Sequence, residues 1–194
     1  MLPNVIIGDM DSIRPETLEH FKANDVQIVK DSNQDNTDFR KAGDFLLARD
    51  PKPKRIFFLS AFGGRIDHTL SNMSNLYQLQ KEHDTEIILL DRYSKMICLR
   101  PDIDYEIQLS KAIDLKEGVG IVPVPVEPSK NGNEISTTGF KWNIQPGTEV
   151  DSLSWDTLLS TSNEIENAEY KVTIKSKVPL FVSTTLVYSK DDDD

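Results

Sequence analysis

The chain has 194 residues, of which 38% are hydrophobic and 28% charged, and its formal net charge is −10. These values describe an ordinary globular protein of one large or two small domains. The acidic balance, with no Lys/Arg cluster, excludes nucleic acid as an expected partner. No apolar run is long enough for a transmembrane helix, so no membrane association is expected and the cytoplasm is the expected compartment. An anionic ligand would need a metal or a local cation to overcome the long-range repulsion. Cys98 is the single cysteine, so no internal disulfide can form.

Val5-Ile6-Ile7-Gly8 predicts a buried strand that ends in a turn. Ser12 is the expected cap of a helix with Pro15 in its first turn, Leu18 and Phe21 on its apolar face and Asn24 at its end. Val26–Val29 predicts a second strand, and 31–36 a polar loop. A helix capped by Thr37 or Asn36 follows, with Phe39, Ala42, Phe45 and Leu46 at helical spacing; Pro51 and Pro53 stop it. Ile56–Leu59 predicts a third strand, Ile66 to about Gln80 a long helix with Leu70, Met73, Leu76, Tyr77 and Leu79 as its apolar positions, and Glu86–Leu90 a fourth strand. Strands alternating with helices argue for one doubly wound parallel sheet.

The pattern changes near Tyr93. Short strands are expected at Met96–Leu99, Tyr105–Leu109, Val119–Val122, Ser152–Leu159, Tyr170–Ile174 and Leu180–Val187, separated by turn-rich stretches at Glu127–Gly132 and Gln145–Gly147. The expected fold is therefore α/β. A doubly wound parallel-sheet domain spans 1–100 and a small antiparallel all-β domain 101–190, with an acidic tail at 191–194.

Four stretches carry candidate chemistry. Asp9 and Asp11 follow the first strand and, if the turn is extended, point the same way. Two such carboxylates repel unless a cation sits between them, and a hard divalent ion such as Mg²⁺ suits them; a solvated acidic turn is the plain alternative. In Gln34-Asp35-Asn36-Thr37-Asp38, Asp35 and Asp38 flank a helix start, which favours acidic residues by itself. After a neighbouring parallel strand they would share the edge where Asp9 and Asp11 emerge. Gly63-Gly64-Arg65-Ile66-Asp67-His68 joins a strand to a helix. Its glycines admit a phosphate, the helix start offers N–H groups, and Arg65 has the fork that suits phosphate oxygens; a plain turn with a surface Arg is equally compatible. Trp142, after Thr137-Thr138-Gly139-Phe140-Lys141, and the cluster Ser160-Thr161-Ser162-Asn163 could flank a flat heteroaromatic ligand. From the residues alone, a core Trp and a hydroxyl-rich loop are favoured.

Taken in order, Gly-Asp-Met-Asp-Ser, Gln-Asp-Asn-Thr-Asp-Phe, Gly-Gly-Arg-Ile-Asp-His, Thr-Thr-Gly-Phe-Lys-Trp and Ser-Thr-Ser-Asn resemble the motifs of the thiamine pyrophosphokinases, from Ile6 to about Val187. The resemblance implies a nucleotide-binding α/β domain followed by an antiparallel β-domain. It also implies transfer of pyrophosphate from ATP to the hydroxyl of thiamine with release of AMP, Mg²⁺ as cofactor, and a homodimer with active sites between subunits. By the same resemblance, Asp9, Asp11, Asp35 and Asp38 are catalytic, with Asp9, Asp11 and Asp38 on the metal. Gly63, Gly64, Arg65, Asp67 and Thr37 serve ATP, and Trp142, Ser160, Ser162 and Asn163 serve thiamine. The family's usual first strand and helix, with an Ala-Asp-Gly-Gly or Ala-Asp-Gly-Ala turn, have no counterpart ahead of Ile6, and the expected consequence is an exposed sheet edge. Two other classes fit some of the residues: a sugar transferase using Asp9-Met10-Asp11 as an Asp-x-Asp metal site, and a thiamine-binding module without turnover.

Overall fold

A computed structural model describes residues 2–110, 113–114, 116, 118–125, 133–146, 153–156, 158–166 and 169–186. The expected acidic tail and the turn at Glu127–Gly132 lie outside them, as do Val187 and parts of the stretches 145–147 and 152–159. The chain forms two compact units, 1–54 and 55–194.

In the first unit, β1 (Val5–Gly8) and β2 (Gln27–Lys30) pair in parallel, from Val5 opposite Gln27 to Gly8 opposite Lys30. Helix α1 (Pro15–Ala23) crosses between them. Its N-cap is Arg14, without a side-chain cap bond, rather than Ser12; Pro15 fits the first turn, where its missing N–H costs nothing. Asn24 ends the helix as expected. Helix α2 (Asp38–Leu47) starts at Thr37, whose Oγ1 accepts from the Arg40 N–H at 3.2 Å. Its buried residues are Lys41, Gly43 and Leu47, whereas Phe39, Ala42, Phe45 and Leu46 are only half-buried. A buried lysine on that face is the departure with consequences for the site.

In the second unit, β3 (Arg55–Leu59) pairs in parallel with β4 (Glu86–Leu90) after the crossover helix α3 (Ile66–Glu82). Gln80 on α3 is buried and fixes the start of β4, donating to Thr85 O and accepting from the Ile87 N–H, both at 3.3 Å. The strand β5 (Ser94–Leu99) then turns back antiparallel onto β4. Asp91 Oδ1 closes that turn by accepting from the N–H groups of Tyr93 and Ser94, at 2.8 and 2.6 Å.

The remaining strands are β6 (Asp104–Gln108), β7 (Val119–Pro123), β8 (Ile135–Thr138), β9 (Ser160–Asn163), β10 (Lys171–Ser176) and β11 (Leu180–Thr185). A six-stranded sheet runs β3-β4-β5-β11-β7-β9 and a three-stranded sheet β6-β10-β8. Val119, Ile121, Leu180 and Val182 of the larger sheet and Ile135, Val172 and Ile174 of the smaller share one buried core with Phe140 and Ile144. Alternating burial along β7, β8 and β10 places one side of each strand in that core.

The sheet arrangement differs from expectation, and so does one strand. The described α/β strands form two parallel pairs in two sheets rather than one doubly wound sheet. The short Asp91 turn gives the free edge of β4 to an antiparallel partner, so the sheet that begins with β3 and β4 continues through β5 to β11. The strand expected over 152–159 is replaced by a turn at 154–156 with an isolated Leu153–Leu158 bridge, and pairing starts only at Ser160.

Candidate active site

The first group of candidate residues lies where β1 and β2 end, in unit 1–54. The Asp9–Asp11 turn is not extended. Met10 has φ 67°, a left-handed conformation uncommon for a side-chain-bearing residue. The bend lets the Asp11 N–H donate to Asp9 Oδ1 at 3.1 Å. The two carboxyls still meet, through a hydrogen bond rather than through period-two alternation. The backbone N–H and then the carboxyl of Asp11 hold Asp9 below the usual carboxylate range; Gln34 and the charge of Lys41 add to this. The hydrogen bond to Asp9, followed by the negative charge of Asp9, raises Asp11 above that range, with Asp38 contributing. The two titrations are linked, one carboxyl held down and its neighbour pushed up.

Asp38, at the start of α2, brings the third carboxylate. A Cβ built at Gly8 would sit 3.1 Å from Asp38 Oδ1 and 3.3 Å from its Cγ and Oδ2. Glycine at the end of β1 is what leaves room for Asp38 beside Asp9. Lys41, one turn on, reaches Asp38 Oδ1 with its Nζ at 3.4 Å; its side chain is 1% exposed against 60% for Asp38. Asp35 lies in the exposed 31–37 loop, its N–H held by Asn33 Oδ1 at 2.8 Å.

Asp9 and Asp11 side by side, with Asp38 against Gly8, offer carboxylate oxygens of the kind a hard divalent ion takes. Mg²⁺ in particular takes one or two carboxylates and leaves its other positions to water and phosphate. Among the described residues no three His, Cys, Asp or Glu side chains converge as a group that could hold a metal ion, so an ion here would rest on one or two carboxylates.

The second and third groups lie in unit 55–194. Gly63 and Gly64 both have positive φ, 84° and 65°, and nothing lies within 4 Å of where a Cβ would be. Two consecutive left-handed residues make the turn that delivers the chain from β3 to α3. Arg65 is the N-cap of α3, and its guanidinium binds both carboxylate oxygens of Asp67. That contact holds Asp67 below the usual range and raises Arg65.

Trp142 is 56% exposed, so the core reading of this residue does not hold. Its indole stands free of the buried cluster, with Lys141 Nζ 4.8 Å from the ring centroid and the same ammonium paired to Glu164 at 2.7 Å. Asn163 is 2% exposed. Its amide is spent on the Trp142 backbone, with Trp142 N–H donating to Oδ1 at 3.2 Å and Nδ2 donating to Trp142 O at 2.9 Å. Sequence reasoning gave Asn163 to the ligand; its side chain instead holds the loop that presents Trp142. Ser162 is exposed and Ser160 half-buried.

Two residues of the carboxylate cluster had been assigned no role. Gln34 stands beside the acidic motif, but its type carries no charge signal. Lys41 was hidden by the helical apolar pattern, although a Lys among apolar helix positions is itself a signal of a paired, buried cation.

A parallel α/β pair with an open carboxylate cluster, followed by an antiparallel β-sandwich, is the class of chain that these parts define. The family models described as "Thiamin pyrophosphokinase, catalytic domain" and "Thiamin pyrophosphokinase, vitamin B1 binding domain" match residues 1–89 and 104–181. The chain belongs to the thiamine pyrophosphokinase family. It is 34% identical over 179 residues to thiamine pyrophosphokinase 1 of Oryza sativa subsp. japonica, covering 90% of this chain and 63% of the relative. With thiamin pyrophosphokinase 1 of Caenorhabditis elegans it shares 28% over 196 residues, covering 97% and 74%. The crystal structure of thiamine pyrophosphokinase from Bacillus subtilis superposes with a TM-score of 0.75 at 26% identity, covering 96% of this chain and 80% of that one. The chain spans 63–66% of the length of the three Oryza relatives it matches. Among the described residues, no helix is long and apolar enough to cross a membrane.

Proposed function

We propose that the chain transfers a pyrophosphoryl group from ATP to the hydroxyl of thiamine, giving thiamine diphosphate and AMP. The supporting observation is the Asp9–Asp11 pair with Asp38 set against Gly8, in the stretch that matches the catalytic-domain model. Asp9, Asp11 and Asp38 are the residues that would hold Mg²⁺, which when bound would supply neutralisation of the polyphosphate charge. Gly63, Gly64 and Arg65 bind ATP phosphates, Asp67 orients Arg65, and Thr37 serves the same substrate from the start of α2. Asp35 and the cluster orient the thiamine hydroxyl toward the β-phosphorus; the new O–P bond forms as the bond from the β-phosphorus to the α-phosphate oxygen breaks, AMP leaves with that oxygen, and the hydroxyl proton passes to one of these carboxylates. Such chemistry depends on positioning and on neutralising charge, which these side chains supply.

Trp142 stacks on a thiamine ring, and its exposure supports that role. Ser160 and Ser162 supply hydrogen bonds, and Asn163 fixes the Trp142 loop. In this reading residues 1–100 take ATP and Mg²⁺, and residues 101–190 take thiamine. The working form is a cytoplasmic homodimer with sites between subunits. Assaying ATP plus thiamine beside a panel of nucleotide sugars tests the proposal. Thiamine-dependent AMP release supports it; turnover of a nucleotide sugar alone, or thiamine binding without AMP, rejects it.

A further inference from the structure

Phe140 and Ile165 form an antiparallel bridge just beyond β8 and β9. On either side of it the Lys141 N–H donates to Glu164 O at 2.8 Å and the Glu166 N–H to Gly139 O at 3.2 Å. Phe140 and Ile165 are buried, so the alternation of paired strands turns Lys141 and Glu164 to the outer side. There the two stand across from each other, and Lys141 Nζ reaches Glu164 Oε2 at 2.7 Å. The same Nζ lies over the Trp142 indole, 4.8 Å from the ring centroid. Neighbours in sequence often meet in this way, but here both are held from the facing strand. Asn163 grips the Trp142 backbone through two hydrogen bonds, and the next residue, Glu164, grips the ammonium. The exposed indole thus carries a cation on its face, and a carboxylate stands directly behind that cation.

We propose that the Lys141–Glu164 pair sets the charge specificity of the Trp142 site: Lys141 holds the place that a cationic aromatic ring takes on the indole, and Glu164 is the counter-charge for whichever cation is there. This inference rests on the reading of Trp142 as the residue that stacks on thiamine, whose thiazolium carries a fixed positive charge. The indole face draws a cation through its quadrupole, and the carboxylate adds a direct attraction that a neutral ring of the same shape does not feel. Lysine suits the role of place-holder, because its ammonium sits on a flexible stem and 43% of its side chain is exposed, which leaves it free to swing into water. The two charges then act with opposite sign on a cationic ligand. Removing the charge of Glu164 leaves an ammonium to repel it; removing that of Lys141 leaves a carboxylate to attract it. A pair that only braced the Trp142 loop would act through shape and would move cationic and neutral ligands together.

The test is calorimetric titration of two probes into the whole chain: thiamine, and its analogue with a neutral thiophene in place of the thiazolium. The proteins are the parent, Glu164→Gln, Lys141→Met and Trp142→Ala, each checked by circular dichroism and a melting curve. The readout is the ratio of the two affinities, which a change of shape alone leaves in place. Both charges are partly exposed, so each is worth a factor of a few. The expected result is a preference for thiamine about fourfold lower than the parent's in Glu164→Gln and about fourfold higher in Lys141→Met. A ratio within about twofold of the parent in either folded variant, or a shift in the same direction in both, overturns the proposal. If one variant does not fold, the sign of the shift in the other decides. Failure of the underlying reading looks different: Trp142→Ala would then bind thiamine as tightly as the parent.

Discussion

Asn163 and Trp142 are tied by two reciprocal hydrogen bonds, the amide of a buried side chain answering both backbone groups of an exposed aromatic residue. The strand β9 thereby sets the position of a loop 21 residues away in sequence. The two residues should separate in their effects. Asn163→Ala leaves the Trp142 N–H and C=O without those partners and should cost about 1–3 kcal/mol of stability. Trp142→Ala removes an exposed side chain and should leave the melting temperature within a few degrees. Both should raise the KM for thiamine, with ATP affinity nearly unchanged in Trp142→Ala. Equal loss of stability in the two variants would show that Trp142 packs rather than recognises.

Gly8→Ala tests how closely Asp38 approaches β1. The new Cβ would press on the Asp38 carboxylate at 3.1–3.3 Å. A side chain yields more easily than backbone, so Asp38 should swing away while the strand remains. The expected outcome is a small change in melting temperature and a rate lower by at least about tenfold, partly recovered at high Mg²⁺. A parent-like rate at low Mg²⁺ would remove Asp38 from the working cluster.

Arg65→Lys keeps the charge at the start of α3 but loses the fork that now binds Asp67 through two nitrogens. Arg65 is 71% exposed at its side chain, so stability should barely change. ATP should bind about tenfold more weakly and thiamine equally well. Identical ATP affinity by calorimetry would reject Arg65 as a phosphate ligand.

Burial pushes the Cys98 thiol from 9.0 up to about 12. The folded protein thus keeps a proton that the unfolded chain releases earlier. Stability from this source is complete below about pH 9 and is lost as pH rises toward 12. A disulfide reagent at pH 8 should label Cys98 only after denaturation. The fall in melting temperature between pH 8 and pH 10 should be smaller in Cys98→Ala than in the parent. Rapid labelling of the native protein would show that the thiol is accessible.

The local elements were readable where periodicity and punctuation agreed. Pro15, Thr37 and Asn24 mark helix ends, and Val5–Gly8 and Glu86–Leu90 are strands at the positions their apolar runs indicate. Sheet membership was not readable, because strand–helix alternation does not reveal that the Asp91 turn passes the edge of β4 to an antiparallel strand. β8, Ile-Ser-Thr-Thr, was missed because only Ile135 is strongly apolar; it pairs through its backbone with β10. At the site, the acidic residues were visible as types, but their coupling was not. It depends on the left-handed Met10, on the space at Gly8 and on the buried Lys41, all consequences of tertiary packing. The role of Asn163 was hidden for the same reason: a polar residue in a Ser/Thr/Asn run shows no sign of where its amide will be spent.

The most direct measurement follows the label from β-³²P-ATP incubated with the protein, thiamine and Mg²⁺. The account predicts label in thiamine diphosphate and equimolar unlabelled AMP, dependent on Mg²⁺ and abolished in Asp11→Asn. Labelled ADP with thiamine monophosphate, or AMP released independently of thiamine, would contradict pyrophosphoryl transfer by this chain.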